Sequence, residues 1–181
     1  MMVAWMLSLA VALAPSGLAY STASPFVVQR QPPAGACHAI GMGLYARPDP
    51  RCTPGAVNPA ARQASIGETI CRSGWTSSVR PSESVTEPEK RAGMAAYGAQ
   101  GSASAYEYDH LVPLELGGAV NDSRNLWPEL DFSHPHGYDE LNPKDAVEFA
   151  LNRLVCHRDM SLATAQRVIA SDWVSAFNRY G

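Results

Sequence analysis

Asp109 and His110 stand next to each other in this 181-residue chain, and together their side chains suit one piece of chemistry. A neutral imidazole, with an ordinary pKa of about 6.5, is largely deprotonated at neutral pH and can take a proton from water. A carboxylate beside it supplies a hard oxygen for Mg²⁺ or a similar divalent cation. The pair would then activate water for attack on an electrophilic centre. Neighbours on a regular strand point to opposite faces, so the two share one site only if the chain twists or bends before Pro113.

The elements that must position this pair can be read around it. Residues 106–112 carry two tyrosines, a leucine and a valine, which predicts a strand ended by Pro113. A second, short strand is expected over 125–127, stopped by Pro128. Between them Gly117-Gly118 and Asn121-Asp122 are turn formers, so the segment folds into a hairpin with a wide loop. Asn142 as N-cap and Pro143 at the first helical position predict a helix over 143–156. Its core face would carry Ala146, Val147, Ala150, Leu151, Leu154 and Val155. A last helix is expected from the N-cap Ser161 to about Arg179. Upstream, residues 63–80 suggest one or two strands turning at Ser73-Gly74, and 87–96 a short helix with Pro88 in its first turn.

The pattern DH-x-x-P-x-x-x-GG-x-x-x-D-x-x-NL, starting at Asp109 and followed by a helix, resembles the HNH nucleases of the ββα-metal (His-Me finger) class. TICRSGWTSSVRP upstream, and NPKDAVEFALNRLVC and AQRVIASDW downstream, are similar to small secreted bacterial proteins that carry this signature. The likeness runs from Cys37 to the C-terminus and is most specific in the hairpin. It implies an α+β fold with a ββα unit and a metal-dependent endonuclease hydrolysing nucleic-acid phosphodiesters, DNA in the first instance. It makes His110 the general base, Asn125 the amide that fixes the loop and orients the histidine, and Asp109 a ligand of a divalent cation. That cation is expected to be Mg²⁺, with Mn²⁺ or Zn²⁺ as alternatives.

The third letter of the signature departs from the pattern, because 131–145 looks like an insertion. Asp145 is the first choice for a second ligand, then Asn142, then Glu148, with His134 or His136 able to swing in; Asp145 equally suits a role confined to the helix N-terminus. Arg72, Arg80, Lys90 and Arg91 are candidates to touch a nucleic-acid backbone. A monomer is expected. The competing expectation is a non-catalytic secreted module that keeps the scaffold for binding.

Composition bounds the rest. Residues 1–19 hold no charge and end in Gly17-Leu18-Ala19, a small-x-small pattern that suggests an export signal cut after Ala19, leaving no membrane segment. Residues 20–60 contain seven prolines and read as an irregular arm, flexible over 20–31, and 61–181 as the domain proper. Four cysteines behind such a signal imply two disulfides, of which three pairings are possible. Cys37–Cys52 and Cys71–Cys156 are favoured, and the lack of C-x-x-C spacing argues against zinc. The 14 basic residues are outnumbered by 17 acidic ones, a net charge of −3. A protein that coats itself in nucleic acid is therefore excluded; only a local groove of arginines would serve.

Overall fold

The computed structural model describes residues 17–131 and 142–181, and these form an α+β body of four α-helices and two small sheets, tied by two disulfides. Strand β1 (Ala19–Tyr20) pairs in parallel with β2 (Ala56–Val57). Helices α1 (Trp75–Val79) and α2 (Glu83–Tyr97) follow. The hairpin of β3 (Tyr106–His110) and β4 (Leu126–Leu130) comes next, then α3 (Pro143–Cys156) and α4 (Leu162–Tyr180).

One apolar core holds these parts together. Val147, Leu151 and Val155 of α3 meet Leu162, Ala165, Ile169 and Trp173 of α4, and Leu111, Val112 and Leu116 from the β3–β4 connection complete the cluster. The connection is also tethered by side chains: Asn152 Nδ2 donates to Glu115 O at 2.8 Å and Gln166 Nε2 to Leu116 O at 2.9 Å. The hairpin loop is thus seated on both C-terminal helices. No helix among the described residues is long and apolar enough to cross a membrane.

Both favoured disulfides form, Cys37–Cys52 and Cys71–Cys156. The helix expected over 143–156 has those bounds, and α4 runs one residue beyond the expected end. The expected cut after Ala19 falls within β1, and most of the 1–19 segment lies outside the described residues.

Three local expectations are corrected. Residues 63–80 make helical turns rather than strands: a 3₁₀ turn at Gln63–Ser65, then α1 after Gly74 at φ 77°. Ile66 and Ile70, both buried, are four apart, a helical spacing. Helix α2 begins at Glu83, not Glu87, so Pro88 lies inside it and costs it one backbone bond. Strand β4 passes through Pro128 to Leu130. The Leu111 N–H donates to Asn125 O, which makes 111/125, 109/127 and 107/129 the hydrogen-bonded pairs of the ladder. Pro128, opposite Tyr108, falls at a non-bonded pair where no N–H is needed.

The arm is also not loose. Asn121 Nδ2 donates to Ser24 O and Val27 O, the Gln29 N–H donates to Glu89 Oε1, and Ser21 Oγ donates to Asp122 Oδ2. Residues 21–29 therefore lie across the hairpin loop and α2.

Candidate functional site

The site is built on how β3 ends and its connection folds. Gly118 comes so close under Val112 that a Cβ there would sit 1.7 Å from Val112 O. Only glycine permits that approach. Asn125, 0% exposed, fills the space left inside the loop. Its Nδ2 donates to Val112 O (3.0 Å) and Ala119 O (3.1 Å), and its Oδ1 accepts from Val112 N (3.0 Å) and Ala56 N (3.4 Å). One amide thus joins the strand exit, the returning loop and β2. Asp122 braces the same loop from outside, accepting from the Arg124 backbone, the Arg124 guanidinium and Ser21.

His110 is 9% exposed and its Nε2 lies 3.1 Å from Val120 O in that loop. A carbonyl oxygen only accepts, so Nε2 carries the hydrogen and Nδ1 carries the lone pair. Burial pushes the imidazole pKa down to about 4, with the Arg80 and Lys144 charges acting in the same direction. At neutral pH the ring is neutral, held in one tautomer, with its basic nitrogen defined. Val120 also lines a cleft of about 410 Å³ shared with Arg80, Ala119, Asn58 and, from the arm, residues 21–23, Pro25 and Phe26.

Asp109 faces the other way, as strand alternation requires. Its Oδ2 accepts from Trp127 Nε1 at 3.2 Å and lies 2.7 Å from Lys144 Nζ. Lys144, 0% exposed, also reaches Glu148 Oε1 and donates to His110 O at 2.8 Å. Around it gather Glu107 and Glu129 of the hairpin and Asp145 of α3. Burial alone would raise the Asp109 carboxyl, but the Lys144 charge and its hydrogen bonds outweigh it and hold Asp109 below the usual range. Glu107 is pushed up to about 8 by burial and by the Asp109 and Asp145 charges. Glu129 and Glu148 are raised well above normal, burial again first. Lys144 touches two carboxyls, and while its charge holds Asp109 low, burial raises Glu148.

The sequence-derived candidates are thus divided. His110 and Asn125 belong to one face of the hairpin with Val120, and Asp109, Glu148 and Asp145 to the other. Asp145 Oδ2 accepts from the Asn142 N–H at 3.2 Å, a helix N-terminal role, and the Asn142 amide donates to Glu107. His134 and His136 lie outside the described residues. Arg80 closes α1 on the His110 side, where its charge is felt by the imidazole. Arg72, exposed nearby, contacts Ser78, while Lys90 and Arg91 ride on α2, with Arg91 paired to Glu87. Lys90 and Arg91 thus share α2, while Arg80 caps α1 and Arg72 lies in the turn before it.

Lys144, Glu107, Glu129 and Trp127 escaped the sequence reading. The signal for Lys144 was its spacing: 144, 147, 148, 151 and 155 form one helical stripe, and all five are buried. The expected core face missed that a charged pair heads this stripe.

The described residues around Asp109 do not, as arranged, fit a divalent metal. Among the described residues no three His, Cys, Asp or Glu side chains are disposed around a common point for a metal ion. The cation that Asp109 does meet is Lys144. Set against protein-family models, curated proteins and solved structures, the chain matches none of them.

Proposed function

We propose that the chain is a secreted phosphodiester hydrolase acting on nucleic acid, with His110 as the general base. The observation that carries this reading is the anchored neutral imidazole: Nε2–H on Val120 O, Nδ1 left basic, and a pKa low enough that the ring does not charge at neutral pH. A hairpin locked by Asn125, with α3 as the next described element, supports it as the ββα arrangement that the signature implies. In this reading Nδ1 takes the proton of a water whose oxygen bonds to phosphorus as the ester P–O bond to the departing sugar oxygen breaks, that oxygen taking a proton from solvent, while Asn125 keeps the Val112–Val120 loop from moving. Arg80, on the same side as Val120 and His110, is the guanidinium placed to meet a phosphoryl oxygen. Two disulfides fit an oxidising compartment, and the net charge of −3 fits weak, salt-sensitive binding rather than tight coating of DNA.

A second reading has an observation of its own. An ammonium held at Asp109 also suits a binding module that keeps the scaffold without its chemistry. Supercoiled plasmid, single-stranded DNA and RNA incubated with the oxidised protein at low salt, with Mg²⁺, Mn²⁺, Zn²⁺ or EDTA, separate the two. Nicking that disappears in His110→Ala is the expected result; no cleavage in any condition by a folded protein leaves the binding module.

A further inference from the structure

We propose that the Lys144 ammonium is the resident cation of this unit, holding the place at Asp109 that the signature assigns to a divalent ion. All three of its N–H bonds have an oxygen in reach: Asp109 Oδ2 at 2.7 Å, His110 O at 2.8 Å, and Glu148 Oε1. A lysine has three donors and no acceptor, so this shell is complete. The oxygens stand at ammonium distances; Mg²⁺ requires about 2.0–2.1 Å and an octahedron of oxygens, which a shell closed around Nζ does not offer. A divalent ion entering beside Asp109 would also meet a positive charge held in place, since Lys144 is 0% exposed and its ammonium is engaged by three oxygens.

The arrangement gives Lys144 a positioning role. It grips the Asp109 side chain and the His110 carbonyl at once, so the start of α3 and the end of β3 form one piece behind the imidazole. The consequence for catalysis, that divalent ions do not act through Asp109, rests on the hydrolase reading; the cation assignment itself does not.

The test therefore measures cation binding rather than cleavage. Mn²⁺ is titrated into the full disulfide-bonded chain, and paramagnetic broadening of backbone amide resonances is followed by NMR. In the wild-type protein the amides of Asp109, Lys144 and Glu148 are expected to stay sharp at Mn²⁺ concentrations that broaden exposed acidic residues. Lys144→Met empties the shell while keeping the stem, and it is expected to bind Mn²⁺ at least tenfold more tightly than wild type, with broadening centred on Asp109. Adding Asp109→Asn to that variant removes the gain. Early broadening centred on Asp109 in the wild-type protein overturns the proposal. So does a folded Lys144→Met that gains no affinity. Should Lys144→Met not fold, the wild-type titration alone decides. Absence of any plasmid cleavage would count against the hydrolase reading and leave this result untouched.

Discussion

Replacing Asn125 tests whether one amide holds the loop that carries the candidate base. In Asn125→Ala, the Val112 N–H loses its partner, the Ala56 N–H loses a longer one, and two carbonyl oxygens each lose a donor. The position is 0% exposed, so water does not take over. An orphaned buried donor costs about 1–3 kcal/mol and a lost bond to a carbonyl about 0.5–1 kcal/mol, so the sum is about 4 kcal/mol. That is a large share of the roughly 5–15 kcal/mol that holds a typical domain together. Asn125→Asp refines the test, since it keeps the shape and the acceptor for Val112 N but turns a carboxylate oxygen toward Val112 O and Ala119 O. It should cost about 3 kcal/mol at pH 7 and less at low pH, where a protonated carboxyl can donate. Urea unfolding of the oxidised proteins gives both values. A loss below about 1 kcal/mol for Asn125→Ala would refute the claim that this amide organises the loop.

Gly118→Ala places a Cβ 1.7 Å from Val112 O and 2.9 Å from Asn125 Nδ2, against backbone that has nowhere to go. It should destabilise by about 3 kcal/mol or more in the same urea assay, whereas Gly67→Ala, with open space around its Cβ, should change stability by less than about 1 kcal/mol. His110 has a folded pKa of about 4 against about 6.5 when unfolded, so between those values the unfolded chain binds the extra proton. Stability from this group is complete above about pH 6.5 and falls as pH drops toward 4, by at most about 3 kcal/mol. Glu107, raised to about 8, works in the opposite sense over a higher window, so the comparison must be wild type against His110→Ala at each pH. A difference that stays constant from pH 7 to 4.5 would show that the imidazole is not held neutral. By the same shift, the acid limb of any cleavage rate should lie near pH 4 rather than near 6.5.

The elements flanking the pair were legible wherever the signal was local. A Pro at the first helical position, an Asn N-cap and a run of apolar residues at helical spacing place α3, because caps and periodicity act over one or two turns. The turn chemistry of Gly117-Gly118 and the buried demand on Asn125 were likewise visible, since a wide hairpin loop must satisfy its own backbone. The cysteine count set two crosslinks but left three pairings open, and the fold forms the favoured one. Over 63–80, where Ile66, Thr69, Ile70, Thr76 and Val79 favour strands locally, that preference did not decide, and burial of Ile66 and Ile70 in the core with residues of α3 and α4 did.

What only the tertiary structure decided is which side chains meet. Strand alternation sends Asp109 and His110 to opposite faces, and the tertiary fold settles what each face meets: Val120 O on one side, Lys144 on the other. Nothing in the neighbourhood of Lys144 in the chain names Asp109 as its partner, because the two are joined by packing of α3 under the hairpin across 35 residues. The same burial sets the charges: desolvation raises Glu107, Glu129 and Glu148, and one lysine keeps one carboxylate ionised. Residue types and spacing were enough to single out His110 as a candidate base and Asn125 within its loop; that Lys144 is the cation beside Asp109 depended on distances that a one-dimensional pattern does not contain.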